Sequence, residues 1–80
     1  MIKLLVTDDF NLRILITEDL DILKTRKLIR KSEKIILGRK ELKAIIIELR
    51  YVDRINENAY QLINRRMNKI KGIPVVIITN

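Results

Sequence analysis

Apolar residues recur along the first part of this chain at every second position, which is the period of a strand with one buried face. A short aliphatic run from Ile2 to Val6 is followed by residues 7–11, where Asp and Asn favour a turn. Leu12, Ile14 and Ile16 then alternate on one side of a second run. Two short runs around a tight connection predict an antiparallel hairpin.

From Asp21 the apolar period becomes that of a helix. Residues seven apart, with neighbours that repeat the same step, predict an apolar stripe on a helix of about four turns. The stripe consists of Ile22, Leu28, Ile29, Ile35 and Ile36. Asp19 or Asp21 suits the N-cap, because a carboxylate there meets free N–H groups and the positive end of the helix dipole. Gly38 suits the C-terminal cap.

The second half of the chain predicts a strand, a helix and a last strand. The run from Leu42 to Leu49 contains Ala-Ile-Ile-Ile, which is typical of an interior strand. A second helix is expected from Glu57 to Lys71, capped by Asn56 and stopped by Gly72. Its buried stripe is expected to consist of Ala59, Ile63, Met67 and Ile70. Residues 74–78 form the last strand, with proline at its edge.

The predicted order β-β-α-β-α-β defines an α/β fold, with residues 1–80 forming a single domain. Each β-α-β step is expected to be a right-handed crossover between parallel strands. With the strands in sequential order, both helices then lie on one face of a four-stranded mixed sheet. The other face has only solvent, a partner or a second copy of the chain to cover it.

The charge balance narrows the classes of partner. Of the 80 residues, 17 are Lys or Arg and 10 are Asp or Glu, a formal net charge of +7. Such a balance favours nucleic acid, anionic membranes or acidic proteins, although Lys-rich helices also serve to solvate a domain. No apolar stretch approaches the roughly 18 residues of a transmembrane helix. We expect neither a signal peptide nor a membrane span, and a cytoplasmic location.

The residue types that most enzymes use are scarce. The sequence has no Cys and no His, and its one serine, Ser32, lies in the middle of the first predicted helix. The acids Glu18, Asp19 and Asp21 are explained by helix capping, and their spacing does not single out a magnesium site. Both glycines fall at predicted helix C-termini, where they cannot form a phosphate-binding loop. We therefore expect a binding protein rather than an enzyme, with no metal and no cofactor.

The stretch from Ile16 to Asp21, between the second strand and the first helix, resembles the STAS domain of bacterial anti-sigma factor antagonists and sulfate transporters. Members of that family commonly have Leu-x-Gly-Glu-Leu-Asp here. The Leu20-Asp21 pair and the preceding acid Asp19 match, while Glu18 replaces the glycine. The element order matches as well, and the resemblance implies a STAS-like α/β fold and a non-catalytic, regulatory role in protein interaction.

Two later stretches continue the resemblance. Ile45 to Leu49 is similar to the family strand that ends in Asp-Leu, and Gly72 to Val76 is similar to its turn into the fourth strand. The family motif Asp-Ser-Ser-Gly falls on residues 56–59, so its phosphorylatable serine corresponds to Glu57. A carboxylate there either favours the helix N-terminus or resembles a permanently phosphorylated state. Family members also continue with another helix beyond the position of Asn80.

Three functional hypotheses follow. The first is a protein-interaction module that docks a partner around the start of the second helix, where Tyr and Arg side chains are favoured interface anchors. The candidate residues are Arg50, Tyr51, Asp53, Arg54, Asn56, Glu57, Asn58 and Tyr60. The second is a nucleic-acid interface on the basic face of the first helix. Its candidate residues are Lys24, Lys27, Arg30, Lys31 and Lys34. The third is self-association through the uncovered sheet face or an edge strand.

Overall fold

The computed structural model describes residues 1–50, 56–70 and 72–79. The strands are β1 (Ile2–Val6), β2 (Asn11–Ile16), β3 (Ala44–Leu49) and β4 (Val75–Thr79), and the helices are α1 (Ile22–Gly38) and α2 (Glu57–Met67). They form one sheet in the order β1-β2-β3-β4. β1 pairs antiparallel with β2, and the other two pairings are parallel. The predicted α/β fold is therefore confirmed, with its hairpin and its two crossovers.

The strand register places apolar side chains opposite one another on the face that the helices cover. Ile14 lies opposite Leu4 on one side and Ile47 on the other, and Ile47 lies opposite Ile77. The helices add their buried stripes to this face, which include Ile29, Ile36, Ala59, Ile63 and Met67. Each fully buried aliphatic side chain contributes about 1.5–3 kcal/mol. Among the described residues, the buried hydrophobic side chains include no aromatic ring.

Helix α1 begins after Asp21, one of the two predicted N-cap residues, and ends one residue later than predicted. Asp21 is the N-cap, since its Oδ1 accepts a hydrogen bond from the backbone N–H of Lys24 at 2.7 Å. Gly38 is the last helical residue rather than the cap. The cap is Arg39, whose backbone is extended and whose N–H donates to the carbonyl of Ile36 at 3.3 Å. The helix therefore ends without the left-handed residue that a glycine cap supplies.

Two hydroxyl side chains of α1 are buried within its apolar stripe. Thr25 and Ser32 are both fully buried. The Thr25 Oγ1 donates to the Asp21 carbonyl at 2.7 Å, and the Ser32 Oγ donates to the Leu28 carbonyl at 2.8 Å. Because these hydroxyls bond to the preceding turn, they enter the core without an unsatisfied polar group.

Helix α2 is shorter than predicted. Asn56 is the N-cap, as expected, but the helix ends at Met67 rather than at Lys71, which lies outside the described residues. The Nδ2 of Asn68 donates to the Asn64 carbonyl at 2.7 Å and so occupies an acceptor at the end of the helix. Beyond that point Ile70 donates to the Met67 carbonyl, three residues back. Ile70 packs against the core from a turn, not from the helix.

The hairpin between β1 and β2 turns at an unexpected residue. Phe10, not one of the neighbouring Asp or Asn residues, has a positive φ of 63°. Its N–H donates to the Thr7 carbonyl at 3.0 Å, while the Thr7 N–H donates to the Asn11 carbonyl at 2.9 Å. The Nζ of Lys43 lies 5.9 Å from the centre of the Phe10 ring. These contacts stabilise a backbone conformation that residues other than glycine rarely adopt.

The helices are too short or too polar for a bilayer. Neither of the two described helices is long and apolar enough to cross a membrane.

Candidate protein-interaction surface

The start of α2 presents a group of polar side chains to solvent. The Oδ1 of Asn56 accepts hydrogen bonds from the N–H groups of Asn58 at 2.9 Å and Ala59 at 3.3 Å. Asn56, Glu57 and Asn58 are exposed, and Tyr60 is 36% exposed, whereas Ala59 is fully buried. The buried alanine and the side-chain cap fix this helix end against the core, so its polar side chains stand in a defined arrangement.

Arg50, another residue of the predicted site, directly follows β3 and contacts β2 and β3. Its N–H donates to the Ile16 carbonyl at 2.9 Å, and its Nη2 lies 3.0 Å from the Oε2 of Glu48. The side chain of Arg50 is 56% exposed. Tyr51, Asp53 and Arg54 of the predicted site lie outside the described residues. The structure therefore places five members of the predicted site: Arg50 directly after β3, and Asn56, Glu57, Asn58 and Tyr60 at the start of α2.

The two helix N-termini lie at the same edge of the sheet. α1 follows β2 and α2 follows β3, and these strands are parallel. The N-cap residues Asp21 and Asn56 therefore belong to the same end of the molecule. Each helix N-terminus carries a partial positive charge of roughly half a unit, which favours acidic side chains such as Glu57 in the first turn.

The acidic group before α1 has structural roles. Glu18 accepts a hydrogen bond from the amino group of Met1 at 2.5 Å and lies 3.4 Å from the Nζ of Lys24. These hydrogen bonds, first to the amino terminus and then to Lys24, lower the pKa of Glu18. Asp21 caps the helix. Within residues 1–50, 56–70 and 72–79, no group of three or more acids is arranged to hold a metal ion.

An ion cluster on the sheet was not predicted from the sequence. The Glu48 side chain, only 8% exposed, pairs with the guanidinium of Arg13 on β2 and with that of Arg50. The acid stands in the run Ile-Ile-Ile-Glu-Leu. A carboxylate within such a run signals a paired buried charge. Arg13 can be recognised as the partner of Glu48 only when the parallel register of β2 and β3 is known.

The basic residues predicted on α1 lie on its exposed surface. All five of them are exposed, and Lys24, Lys27, Lys31 and Lys34 follow the helical spacing of one face. Lys24 pairs with Glu18. Glu33, the one acid of α1, hydrogen-bonds instead to the Arg66 Nη2 on α2 at 3.2 Å. In the described part of the chain, this face therefore carries little opposing charge.

The mixed four-stranded sheet with two helices on one face is a STAS-like α/β fold. The solved structure of the anti-sigma factor antagonist SpoIIAA in its unphosphorylated form has this fold, with a TM-score of 0.76. The alignment covers 96% of this chain and 71% of SpoIIAA, at 14% sequence identity. The resemblance found in the sequence is thereby confirmed for the fold.

Part of a second protein has a similar fold. A crystal structure of Mglu aligns with a TM-score of 0.66 and 11% identity, covering 96% of this chain but 18% of that one. Mglu in its L-glutamate binding form gives a TM-score of 0.65 at 8% identity, covering 98% of this chain and 26% of that one. No protein-family model and no curated protein sequence matches the chain. At these identities the likeness defines the fold alone.

Proposed function

We propose that this chain is a non-catalytic, regulatory protein-interaction module that docks its partner through the start of α2. The observation that carries the proposal is the exposed polar group Asn56, Glu57, Asn58 and Tyr60 around a buried, capped helix end. The support from comparison is that an anti-sigma factor antagonist shares the scaffold. Tyr51, Asp53 and Arg54 complete the proposed surface on sequence grounds.

Preorganisation suits this surface to binding. The Asn56 cap and the buried Ala59 hold the first turn of α2 in place before any partner arrives. Less conformational freedom is then lost on association than at a mobile loop. Tyr60 offers a large side chain with few torsions, which is a common anchor at interfaces.

Glu57 gives the surface a fixed negative charge. It occupies the first turn of α2, at the position that resembles the serine of the phosphorylated family members. A carboxylate carries about half the charge of a phosphoserine, so a partner that requires the unphosphorylated state is expected to bind better when Glu57 is replaced by Ser. If Glu57 acts only on the helix, Glu57→Ser changes stability slightly and leaves partner binding unchanged.

Affinity capture followed by mass spectrometry tests the docking surface. We expect the wild-type chain to recover a discrete set of proteins at both low and high salt. A Glu57→Lys, Tyr60→Ala variant is expected to lose them, as is a Tyr51→Ala, Arg54→Ala variant. Gln61→Ala, an exposed change on the same helix, is the matched control and retains them. Recovery of the same proteins with all four chains would exclude this surface.

Nucleic-acid binding by α1 is the second candidate, and the exposed basic face of that helix favours it. Lys27, Arg30, Lys31 and Lys34 have no acidic partner within ion-pair distance among the described residues. Each phosphate that such a face neutralises makes the logarithm of the affinity fall by about 0.7–0.9 per tenfold rise in salt.

A salt titration with fluorescent single- and double-stranded oligonucleotides decides this alternative. We expect a steep salt dependence, and a Lys27→Glu, Lys31→Glu variant that binds more weakly with a shallower slope. Arg65→Glu with Lys69→Glu, a double reversal of exposed charges outside α1, is the control for net charge. Equal losses in the two variants, or no binding at low salt, would remove α1 as a nucleic-acid interface.

A further inference from the structure

The sheet face opposite the helices combines an apolar half with a cationic half. We call it the open face, because within residues 1–50, 56–70 and 72–79 neither helix packs on it. Its apolar residues are Leu5, Leu15, Ile46, Val76 and Ile78, and its charged residues are Lys3, Arg13, Glu48 and Arg50. Leu5, Val76 and Ile78 are between 47% and 55% exposed. A contiguous apolar area of this kind marks an interaction site.

The strand composition indicates that this face is built to be covered. Sheets of parallel strands are normally buried on both faces, and their strands are then apolar at successive positions. Here β3 reads Ala-Ile-Ile-Ile-Glu-Leu, and β4 reads Val-Val-Ile-Ile-Thr. Ile46 lies directly opposite Val76 on the open face. A strand meant to face water on one side would alternate apolar and polar residues instead.

The charges on the open face select the kind of occupant. Among the described residues that line the cationic half, Lys3, Arg13 and Arg50 surround the carboxylate of Glu48, a local balance of +2 from three cations and one anion. These four residues line a cavity of about 290 Å³ together with Leu5 and Leu15. Because Glu48 is already shared by two guanidiniums, an occupant that buries this half must supply further carboxylates.

A second copy of the chain fits this face poorly. In a two-fold symmetric dimer that covers this face, the cationic half of one copy meets either the cationic half or the apolar half of the other, and neither supplies further carboxylates. Juxtaposed like charges at an interface cost several kcal/mol. Charge complementarity therefore favours an acidic partner over self-association.

The dimensions of the open face match one helix. Four strands span three spacings of about 4.8 Å, or roughly 14 Å, and a helix with its side chains is about 10–12 Å across. Strands of five or six residues are about 17–20 Å long, which equals about 12 helical residues. A single helix of three to four turns would cover Ile46, Val76 and Ile78 with one side and reach Arg13 with the other.

We infer that the open face binds an amphipathic acidic helix of a partner protein. Its apolar side chains pack on the β3–β4 half, and its carboxylates pair with Arg13, Lys3 and Arg50. A covering helix completes a three-layer arrangement in which both faces of the sheet are buried. This surface lies on the opposite side of the sheet from α1 and α2, so it is separate from the docking surface at the start of α2 except where Arg50 borders both.

A designed peptide tests the inference directly. The probe is a helical peptide of about 14 residues with Leu on one face and Glu on the other, titrated into isotopically labelled chain and followed by amide chemical shifts. We expect shifts on β3 and β4, at Ile46, Val76 and Ile78. A peptide of the same composition with its Leu residues scattered around the helix is expected to bind about tenfold more weakly. A Lys-for-Glu peptide is expected not to bind.

Variants of the chain locate the contact. Val76→Asp with Ile78→Asp places two carboxylates on the apolar half and is expected to weaken peptide binding at least about tenfold. The matched control is Leu23→Asp with Leu37→Asp, which changes two exposed apolar residues of α1 and is expected to leave binding unchanged. Should the β4 variant misfold, the peptide series on the wild-type chain still decides the question.

Three outcomes would overturn the inference. They are shifts confined to α1, equal affinity for the designed and scattered peptides, and light scattering that shows a dimer of the wild-type chain at micromolar concentration but a monomer of the Val76→Asp, Ile78→Asp variant. None of these measurements involves Glu57 or Tyr60. The docking surface on α2 can therefore fail while the open face succeeds, and the reverse also holds.

Discussion

Glu18 joins the first strand to the first helix through one exposed carboxylate. It accepts a hydrogen bond from the amino group of Met1 and pairs with Lys24 in the first turn of α1. Both partners carry positive charge, so the ionised form of Glu18 is favoured in the folded state and its pKa falls below the usual 4.5.

This lowered pKa predicts a specific dependence of stability on pH. The stabilisation from Glu18 is present above its unfolded pKa and is lost as the pH falls through its folded pKa. We expect Glu18→Gln to reduce stability at pH 7 and to flatten the loss of stability between pH 5 and 3, measured by urea unfolding. Glu41→Gln, at an exposed acid near Arg39, is the control. Equal pH slopes for wild type and Glu18→Gln would contradict the prediction.

Residue chemistry explains which local features the sequence could predict. The cap Asn56 was predictable, and the cap of α1 was narrowed to Asp19 or Asp21, because a short polar side chain just before an apolar period has few other roles. The positive φ of Phe10 was not predictable, since the neighbouring Asp and Asn residues adopt that conformation more readily. The burial of Thr25 and Ser32 was not predicted, because their side chains are polar. Their hydrogen bonds to carbonyls of the preceding helical turn explain their place in the core.

At the scale of an element, the stability of α2 depends on its N-cap residue, Asn56. Asn56 satisfies two backbone N–H groups that have no acceptor within the helix. We expect Asn56→Ala to lower the free energy of unfolding by about 1 kcal/mol, measured by urea or thermal denaturation. Asn56→Asp is expected to retain most of the stability, because its carboxylate accepts the same bonds.

The matched control for this cap is Asn58, the next asparagine along the chain. Asn58 is exposed and lies within the first turn, so Asn58→Ala is expected to change stability by no more than about 0.5 kcal/mol. If the Asn56 and Asn58 variants lose equal stability, the cap does not anchor α2. The comparison also separates a folding defect from a binding defect at the proposed docking surface, which includes both residues.

The end of α2 shows where element prediction failed. Apolar spacing continues through Ile70, and Gly72 is a natural stop signal, so the pattern favoured a helix up to Lys71. The Asn68 side chain competes for the Asn64 carbonyl, and the chain tightens into turns after Met67. Ile70 still reaches the core from such a turn, which is why burial alone did not mark the helix end.

For the whole molecule, the order of the strands could be predicted from the apolar pattern and the handedness of the crossovers. The ion cluster on the open face could not be predicted in this way. Two β-α-β steps of known hand place both helices on one side. The meeting of Arg13 with Glu48 depends on a parallel register between segments 35 residues apart (48 minus 13). From the sequence, the candidate docking residues could be assigned only to a loop and to the start of a helix. Their positions in space depend on the parallel pairing of β2 with β3.

In the part of the chain that the structure describes, the core contains no aromatic side chain, and this affects how far the sequence of such a chain can diverge. Its inward positions are occupied by Ile and Leu at almost every strand site, and these side chains substitute for one another at little cost when volume is kept. A lineage can therefore exchange its interior residues one by one while every pairing in the sheet persists. Two chains can then share the same backbone at 14% identity, because the fold requires the volume of the inward side chains and not a particular choice of Ile or Leu.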